Sequence, residues 1–228
     1  MLNVLLFAAL PYVSAVLFLF VSIQRYRRDP FTFSSLSSQF LESKGLFWGS
    51  VPFHFGILTL FFGHLVGFLF PRGMTLWNVM PLRLFILEST ALAAALLTLF
   101  GLGGLIVRRA TTPRLHVNTS PTDLLVYVLL LFQIVTGLWV AIALRWGSAW
   151  YTQTVVPYLW SLARFQPDIQ RMVDLKLPAQ MHVVGAFVLM AVFSFTRLVH
   201  ALVAPVPYLW RPNQLVIWNR ARGEKRQA

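Results

Sequence analysis

The chain has 228 residues, of which 57% are hydrophobic and 11% charged, and its mean hydropathy is +0.69. Such a composition is typical of an integral membrane protein and excludes an ordinary soluble domain. The formal charge of +12 does not indicate a nucleic-acid partner, because the basic residues are gathered between long apolar runs. The sequence has no cysteine, which excludes disulfides, cysteine-ligated clusters and thioether-attached cofactors within it.

Five apolar segments are each long enough to cross a hydrocarbon core of about 30 Å, which takes about 20 helical residues. They predict an all-α fold, an integral membrane five-helix bundle that forms a single domain over residues 1–228. The segments run over Leu2–Ile23, Leu46–Phe70, Leu84–Val107, Leu124–Leu144 and Met181–Ala204. We expect the first to be a retained helix, because it lacks the basic start and the cleavage site of a signal peptide. The run from Ser120 to Asp123 resembles a helix cap, with proline at the first helical position.

Lysine and arginine are distributed unevenly among the connections. The first, third and final connections carry twelve of them, and the second and fourth carry six. Because cytoplasmic loops retain basic residues, this pattern predicts that the N-terminus lies outside and the C-terminus lies in the cytoplasm. The fourth connection, roughly 145–179, is long and rich in Trp and Tyr, so we expect it to hold a short interfacial helix on the outer surface.

Four of the five histidines lie inside apolar segments, His54 and His64 in the second and His182 and His200 in the fifth. An ionisable residue within a membrane indicates function by default, and neutral imidazole is the usual nitrogen ligand of haem iron. The predicted topology places His64 with His182 near the outer side and His54 with His200 near the inner side. We therefore predict two bis-histidine haem sites. A single membrane histidine also serves as an interhelical hydrogen-bonding group, so a haem-free anchor is an alternative.

The spacing of the histidines does not fit two straight parallel helices. The ten-residue spacing in the second segment corresponds to about 15 Å of helical rise, and the eighteen-residue spacing in the fifth to about 27 Å. We expect a tilt, a bend or unequal haem inclinations to absorb the difference. Gly56 and Gly63 would let a flat macrocycle approach the second helix, and small residues equally suit helix packing. Arg197 lies three residues before His200 and would either pair a haem propionate or extend to the membrane interface.

Four motifs make the chain comparable with a known family. They are PFHFGIL over 52–58, FGH over 62–64, SFTRLVH over 194–200 and PVPYLWRPNQLV over 205–216. Together they resemble the gamma subunit of respiratory nitrate reductase, a family of five-helix dihaem cytochromes b. The most specific parts of the resemblance are the nine residues between His54 and His64 and the seventeen between His182 and His200. The family pairs its ligands as the depths indicate.

The resemblance implies a function as well as a fold. Quinol, either menaquinol or ubiquinol, would be oxidised near the outer haem, and electrons would pass by the inner haem to an iron–sulfur subunit on the cytoplasmic face. Nitrate would be reduced in a further, molybdenum-containing subunit, and the complex would lie in the prokaryotic cell membrane. No catalytic residue is implied beyond the haem and quinol sites. A dihaem cytochrome of a sulfur-cycle or heterodisulfide-type reductase is an alternative with similar helices, as is a haem-free anchor or transporter.

The quinol site is the least defined part of the sequence. Gly63 and Arg83 are the candidates for it, Arg83 because it begins the third segment on the predicted outer side. The family tends to carry a lysine slightly further along, where Phe85 and other apolar residues stand here. Glu88 would either relay a quinol proton or form an ordinary hydrogen bond. His116 lies in a polar run and is predicted to be solvated.

Overall fold

The computed structural model describes residues 1–33 and 44–203, and within them every regular element is helical. Two π-helical turns (Leu5–Ala9 and Tyr151–Val155) and two 3₁₀ helices (Pro30–Thr32 and Arg197–Leu202) interrupt or extend the α-helices. The α-helices are α1 Leu2–Val4, α2 Leu10–Arg28, α3 Lys44–Leu69, α4 Pro71–Asn78, α5 Pro81–Thr111, α6 Pro113–His116, α7 Pro121–Ala143, α8 Gly147–Trp150, α9 Val156–Ala163, α10 Gln170–Val173 and α11 Leu177–Phe193. The expected all-α class is confirmed.

Among the described residues, four helices are long and apolar enough to cross a membrane. They are Leu2–Arg28, Gly45–Leu69, Pro81–Thr111 and Pro121–Ala143, and each contains or closely matches one of the first four predicted segments. The chain is therefore a multi-pass membrane protein. The predicted cap before the fourth segment is also confirmed, because Ser120 and Asp123 form a reciprocal capping box with Pro121 in the first turn.

The fifth predicted segment differs from the structure. An unbroken helix over Met181–Ala204 was expected, but α11 begins at Leu177 and ends at Phe193. A turn follows, and then a 3₁₀ helix over Arg197–Leu202 that carries His200. Phe193 lies eleven residues after His182, which is about 16 Å of helical rise and close to the rise of about 15 Å between His54 and His64 in α3. A break in the chain thus absorbs the spacing mismatch.

Helices α3 and α5 cross closely because glycines line their contact. A Cβ atom at Gly56 of α3 would lie 2.6 Å from the carbonyl oxygen of Ala94, and one at Gly101 of α5 would lie 2.7 Å from that of Gly49. No side chain fits in such spaces, so these glycines set how near the two backbones come. Helix α7 packs beside α5 through an apolar cluster made of Ala95, Leu102, Leu130, Ile134 and Leu138.

The beginning of the chain packs against the connection between α7 and α11. Phe7 is buried with Val155, Tyr158, Leu162 and Met172 in one apolar cluster. Because Pro11 has no N–H, the Phe7 carbonyl four residues earlier lacks its helical donor, and the Tyr158 hydroxyl donates to it at 2.8 Å. The connection itself holds three short helices, α8, α9 and α10, where one was predicted. It covers one end of the bundle.

Candidate functional site

The structure brings the four histidines of the predicted apolar segments together in two pairs. His64 of α3 and His182 of α11 have ring centroids 6.3 Å apart, with 39° between the ring planes. His54 of α3 and His200 of the 3₁₀ helix also have centroids 6.3 Å apart, with 66° between the planes. These are the partners expected from sequence depth. His116, the fifth histidine, is exposed at the end of α6.

Three of the four rings have their Nδ1 atoms fixed by the backbone. His54 Nδ1 donates to the carbonyl of Ser50 at 2.7 Å, and His64 Nδ1 donates to that of Leu60 at 2.7 Å. His200 Nδ1 donates to the carbonyl of Arg197. A carbonyl only accepts, so the proton of each neutral ring lies on Nδ1 and the lone pair lies on Nε2. This is the tautomer that leaves Nε2 available as a metal ligand.

Small and polar residues on one face of α7 contact His182. The Thr136 hydroxyl donates to the carbonyl of Phe132 at 2.8 Å, so its oxygen accepts from His182 Nδ1 at 3.2 Å. Gln133 Nε2 donates to the His182 carbonyl at 3.1 Å and lies 3.3 Å from His182 Nε2. A Cβ atom at Gly137 would lie 3.0 Å from His182 Cε1. Any side chain at position 137 would therefore require the His182 ring to shift.

The geometry of both pairs fits a metal ion held between two imidazoles. Metal–imidazole bonds are about 2 Å long and each ring nitrogen is about 1 Å from its centroid, so two axial ligands of one ion have centroids about 6 Å apart. Both pairs have a separation of 6.3 Å. Each pair supplies only two ligands, and no group of three or more potential metal-binding side chains occurs among the described residues. A bare ion would need further ligands, whereas haem brings four nitrogens of its own.

The two glycines expected to admit a macrocycle have different surroundings. A Cβ atom at Gly63 would meet nothing within 4 Å, so the surface beside His64 is open there. Gly56 is buried against Thr98 and Ala94 of α5. Its missing side chain serves the crossing of α3 and α5 rather than a flat ligand. Helix packing therefore explains Gly56, whereas the open surface at Gly63 is the one that suits a flat ligand.

Tyr151 joins the connection to the His64–His182 pair. Its hydroxyl donates to the carbonyl of His64 at 3.1 Å, and its ring centroid lies 5.6 Å from that of His64. Burial raises the pKa of Tyr151 to about 12, so the phenol stays protonated and keeps donating at ordinary pH. A Cβ atom at Gly67 would lie 2.8 Å from the Tyr151 ring, so this glycine makes room for the contact.

Arg197 is engaged by a carboxylate of the protein. Its Nε atom lies 2.9 Å from Oδ1 of Asp123, which is only 7% exposed and also binds Arg109 Nη1 at 3.2 Å. The sequence indicated a haem propionate or the membrane interface as the partner of Arg197, and it missed this ion pair. The pair joins the 3₁₀ helix that carries His200 to the beginning of α7.

Arg83, the predicted quinol-site cation, and Glu88 both lie near the beginning of α5. Arg83 is exposed, and its guanidinium carbon lies 5.2 Å from the centroid of the Trp77 ring. Glu88 accepts from the backbone N–H of Ser148 at 2.8 Å and from its hydroxyl at 2.7 Å. Asn78 Nδ2 donates in turn to the Ser148 hydroxyl at 3.1 Å. Glu88 therefore forms ordinary hydrogen bonds, and these tie α5 to α8.

Comparison with known proteins agrees with this architecture. Residues 3–219 match the family described as nitrate reductase gamma subunit. The chain is 33% identical over 211 residues to the nitrate reductase gamma chain of Bacillus subtilis (strain 168), which covers 91% of this chain and 94% of that protein. It is 32% identical over 219 residues to the respiratory nitrate reductase 2 gamma chain of Escherichia coli (strain K12), covering 94% and 96%.

A third relative is a larger protein. The nitrate reductase-like protein NarX of Mycobacterium tuberculosis (strain ATCC 25618 / H37Rv) is 35% identical over 218 residues, which cover 93% of this chain and 33% of that one. The family match extends over nearly the whole chain, and the two gamma chains are similar along nearly their whole length. The chain belongs to the nitrate reductase gamma subunit family and is a membrane component of this oxidoreductase.

Proposed function

We propose that this chain is the quinol-oxidising, electron-transferring subunit of a respiratory nitrate reductase, with two b-type haems held by His64 with His182 and by His54 with His200. The observation that carries the proposal is the equal 6.3 Å separation of the rings in both pairs. Interhelical hydrogen bonding alone would not need two pairs with the separation that shared axial ligation requires.

The surrounding residues suit the proposed ligands. Backbone carbonyls fix Nδ1 of His54, His64 and His200, and the Thr136 hydroxyl fixes Nδ1 of His182. Such outer partners hold the ring orientation and raise the basicity of the ligating nitrogen. Bis-histidine haem, when bound, supplies one-electron transfer and leaves no open iron position for a substrate.

The composition and the described helices support nitrate reduction in another subunit. The chain contains no cysteine, and it consists of membrane helices and short connections in the part that the structure describes. In this proposal, nitrate is reduced by a molybdenum-containing alpha subunit, and electrons reach it by an iron–sulfur beta subunit on the cytoplasmic side. The distribution of basic residues supports an orientation with His64 and His182 towards the outer side, where quinol is oxidised. Arg83 and Gly63 remain the candidates for quinol binding.

The test is a pyridine haemochrome assay combined with quinol-reduced difference spectra on the purified complex. We expect two b-type haems per chain, both reduced by a menaquinol analogue. In the variants His64→Ala and His54→Ala we expect one haem to be lost and the other kept, which also assigns each spectrum to its pair. His116→Ala is the matched control, because this histidine is exposed outside the pairs.

Three results would contradict the proposal or a part of it. A folded, haem-free wild-type complex would mean that the four histidines serve only as interhelical hydrogen-bonding groups. Retention of both haems in His64→Ala would refute the ligand assignment. Reduction of both haems with no nitrate-dependent reoxidation in the purified complex would favour a different soluble partner, such as a sulfur-cycle reductase.

A further inference from the structure

The segment that carries His200 is held by bonds from other helices. Helix α11 ends at Phe193, and the 3₁₀ helix that follows has only six residues, Arg197–Leu202. So short a helix with i to i+3 bonds has little stability of its own. The position of His200 therefore depends on what fixes the turn between the two helices.

Arg25, at the end of α2, holds this turn. Its Nη1 donates to the carbonyl of Ser194 at 2.8 Å and to that of Thr196 at 3.1 Å. On its other side the same guanidinium binds Thr32, with Nε donating to the hydroxyl at 3.0 Å and Nη2 to the carbonyl at 2.9 Å. A planar fork of donors suits several acceptors at fixed angles, and a cation beside the last carbonyls of a helix is electrostatically favourable.

The turn that Arg25 binds is buried and polar. Ser194 is fully buried and Thr196 is 3% exposed. The Ser194 hydroxyl donates to the carbonyl of Phe18 at 3.0 Å and lies 2.7 Å from the hydroxyl of Ser22. Carbonyls that lose a donor in such a place cannot turn to water, so removing the guanidinium would make the turn rearrange.

The hydrogen bonds of Arg25 hold the turn next to His200, which belongs to only one of the two histidine pairs. The His64–His182 pair lies on regular helices and is fixed by Leu60, Thr136 and Gln133. We propose that Arg25 is a positioning residue for His200, which sets the geometry of the His54–His200 pair through the carbonyls of Ser194 and Thr196 without touching either ring. This inference rests on the proposed haem function of that pair.

The experiment compares Arg25→Gln and Arg25→Lys with wild type in the purified complex. The readouts are haem content per chain and, for each haem, the optical and electron paramagnetic resonance spectra and the midpoint potential. The spectra are assigned with His54→Ala and His64→Ala. Arg27→Gln is the matched control, because Arg27 lies two residues away on the same helix end with an exposed side chain.

We expect Arg25→Gln to weaken retention of the His54–His200 haem about tenfold, as loss of an outer-shell partner does, and to shift the spectra and potential of what remains. The other haem keeps its content and signature. Arg25→Lys, which keeps the charge and loses the fork, has an intermediate effect on the same haem and decides the matter if the glutamine variant does not assemble. Arg27→Gln behaves as wild type.

Unchanged content, spectra and potential of both haems in Arg25→Gln would overturn this inference alone. Equal loss of both haems in both Arg25 variants would also overturn it, because Arg25 would then serve general stability. A haem-free wild-type complex would instead overturn the proposed function, and this inference with it. The three outcomes are distinguished in one set of samples.

Discussion

The two histidine pairs have the same ring separation but are built differently. His64 and His182 both lie within regular α-helices, and the helix backbones of α3 and α11 with the small residues of α7 determine where the rings meet. His54 also lies in α3, but His200 follows the break after Phe193. Its segment is held by Arg25 on one side and by the Arg197–Asp123 ion pair on the other.

The difference shows which forces set each site. At the His64–His182 pair, packing space is decisive, because Gly137 leaves room for the ring with little to spare. At the His54–His200 pair, charged hydrogen bonds from distant helices are decisive, since the 3₁₀ helix is too short to position a ligand alone. Substitutions that remove charge and substitutions that add volume should therefore affect different pairs.

Asp123→Ala should have the largest effect on stability. It leaves Arg109 and Arg197 without their shared carboxylate and removes half of the capping box of α7. Breaking a largely buried ion pair on one side costs about 3 kcal/mol, so we expect the free energy of unfolding to fall by that amount. The His54–His200 haem should be lost before the other. Denaturant unfolding of the purified complex, followed by haem absorbance, measures both.

Asp168→Ala is the control for this substitution. Asp168 pairs with Arg171 at 2.7 Å, but both side chains are 43% exposed. Exposed pairs contribute less than about 1 kcal/mol, so the two aspartate variants should differ clearly. Equal destabilisation by both would show that the Arg109–Asp123–Arg197 contacts do not hold the 3₁₀ helix.

Gly137→Val should disturb the His64–His182 pair, because it adds side-chain volume beside the His182 ring. A Cβ atom there already lies 3.0 Å from His182 Cε1, and the two methyl groups of valine would push the ring away from His64. Overpacking of this kind costs about 2 kcal/mol. We expect loss of the His64–His182 haem signal with the other retained, measured by assigned difference spectra. Gly103→Val is the control, because a Cβ atom at Gly103 meets nothing within 4 Å, and an equal haem loss there would contradict the steric explanation.

Tyr151→Phe should have a smaller effect at the same pair. It removes only the hydroxyl that donates to the His64 carbonyl and keeps the ring, so we expect a loss of about 1 kcal/mol. Because burial raises the pKa of Tyr151 to about 12 from 10.0, wild type is stabilised by the neutral phenol below pH 10. That contribution declines between pH 10 and pH 12, where the phenylalanine variant has no corresponding decline.

Unfolding curves at several pH values measure this difference. The gap between wild type and Tyr151→Phe should be constant from pH 7 to pH 10 and narrow above it. Tyr26→Phe is the control, since Tyr26 is 58% exposed. A gap that stays constant up to pH 12 would mean that folding does not raise the pKa of Tyr151, and that its hydroxyl is not shielded from water as its burial indicates.

The sequence predicts the long helices well and the end of the last one poorly. Apolar run length gave the fourth span within a few residues of Pro121–Ala143, and Ser120 with Asp123 correctly indicated its cap. The fifth segment remains apolar almost to its end, so hydropathy cannot detect that its hydrogen-bonding pattern stops at Phe193. Ser194, Thr196 and Arg197 were the local signs, and Arg25, which binds the carbonyls of the first two, is about 170 residues earlier in the chain.

The candidate site was predictable to a similar degree. The histidines stand out by type and by depth, and the structure brings together the pairs expected. Gln133, Thr136 and Gly137 were missed, although their i, i+3 and i+4 spacing places them on one face of α7. Such a stripe of small and polar residues is common in helix packing, and only the three-dimensional contact with His182 distinguishes it.

Gly63→Leu should have the smallest effect on stability and separates an open ligand surface from a lipid-facing one. Beyond the backbone of their own helix turns, no described atom lies within 4 Å of a Cβ atom at Gly63 or at Gly103, so leucine at either position should change the free energy of unfolding by less than about 0.5 kcal/mol. If a flat ligand lies beside His64, however, leucine at 63 occupies its space, and haem content or quinol oxidation at the His64–His182 pair should fall while Gly103→Leu changes neither. Haem content, quinol oxidation rate and unfolding, measured on both variants, decide the matter. Equal and full activity in the two variants would mean that Gly63 faces lipid and that, of the two glycines expected to admit a macrocycle, only Gly56 is constrained, by helix packing.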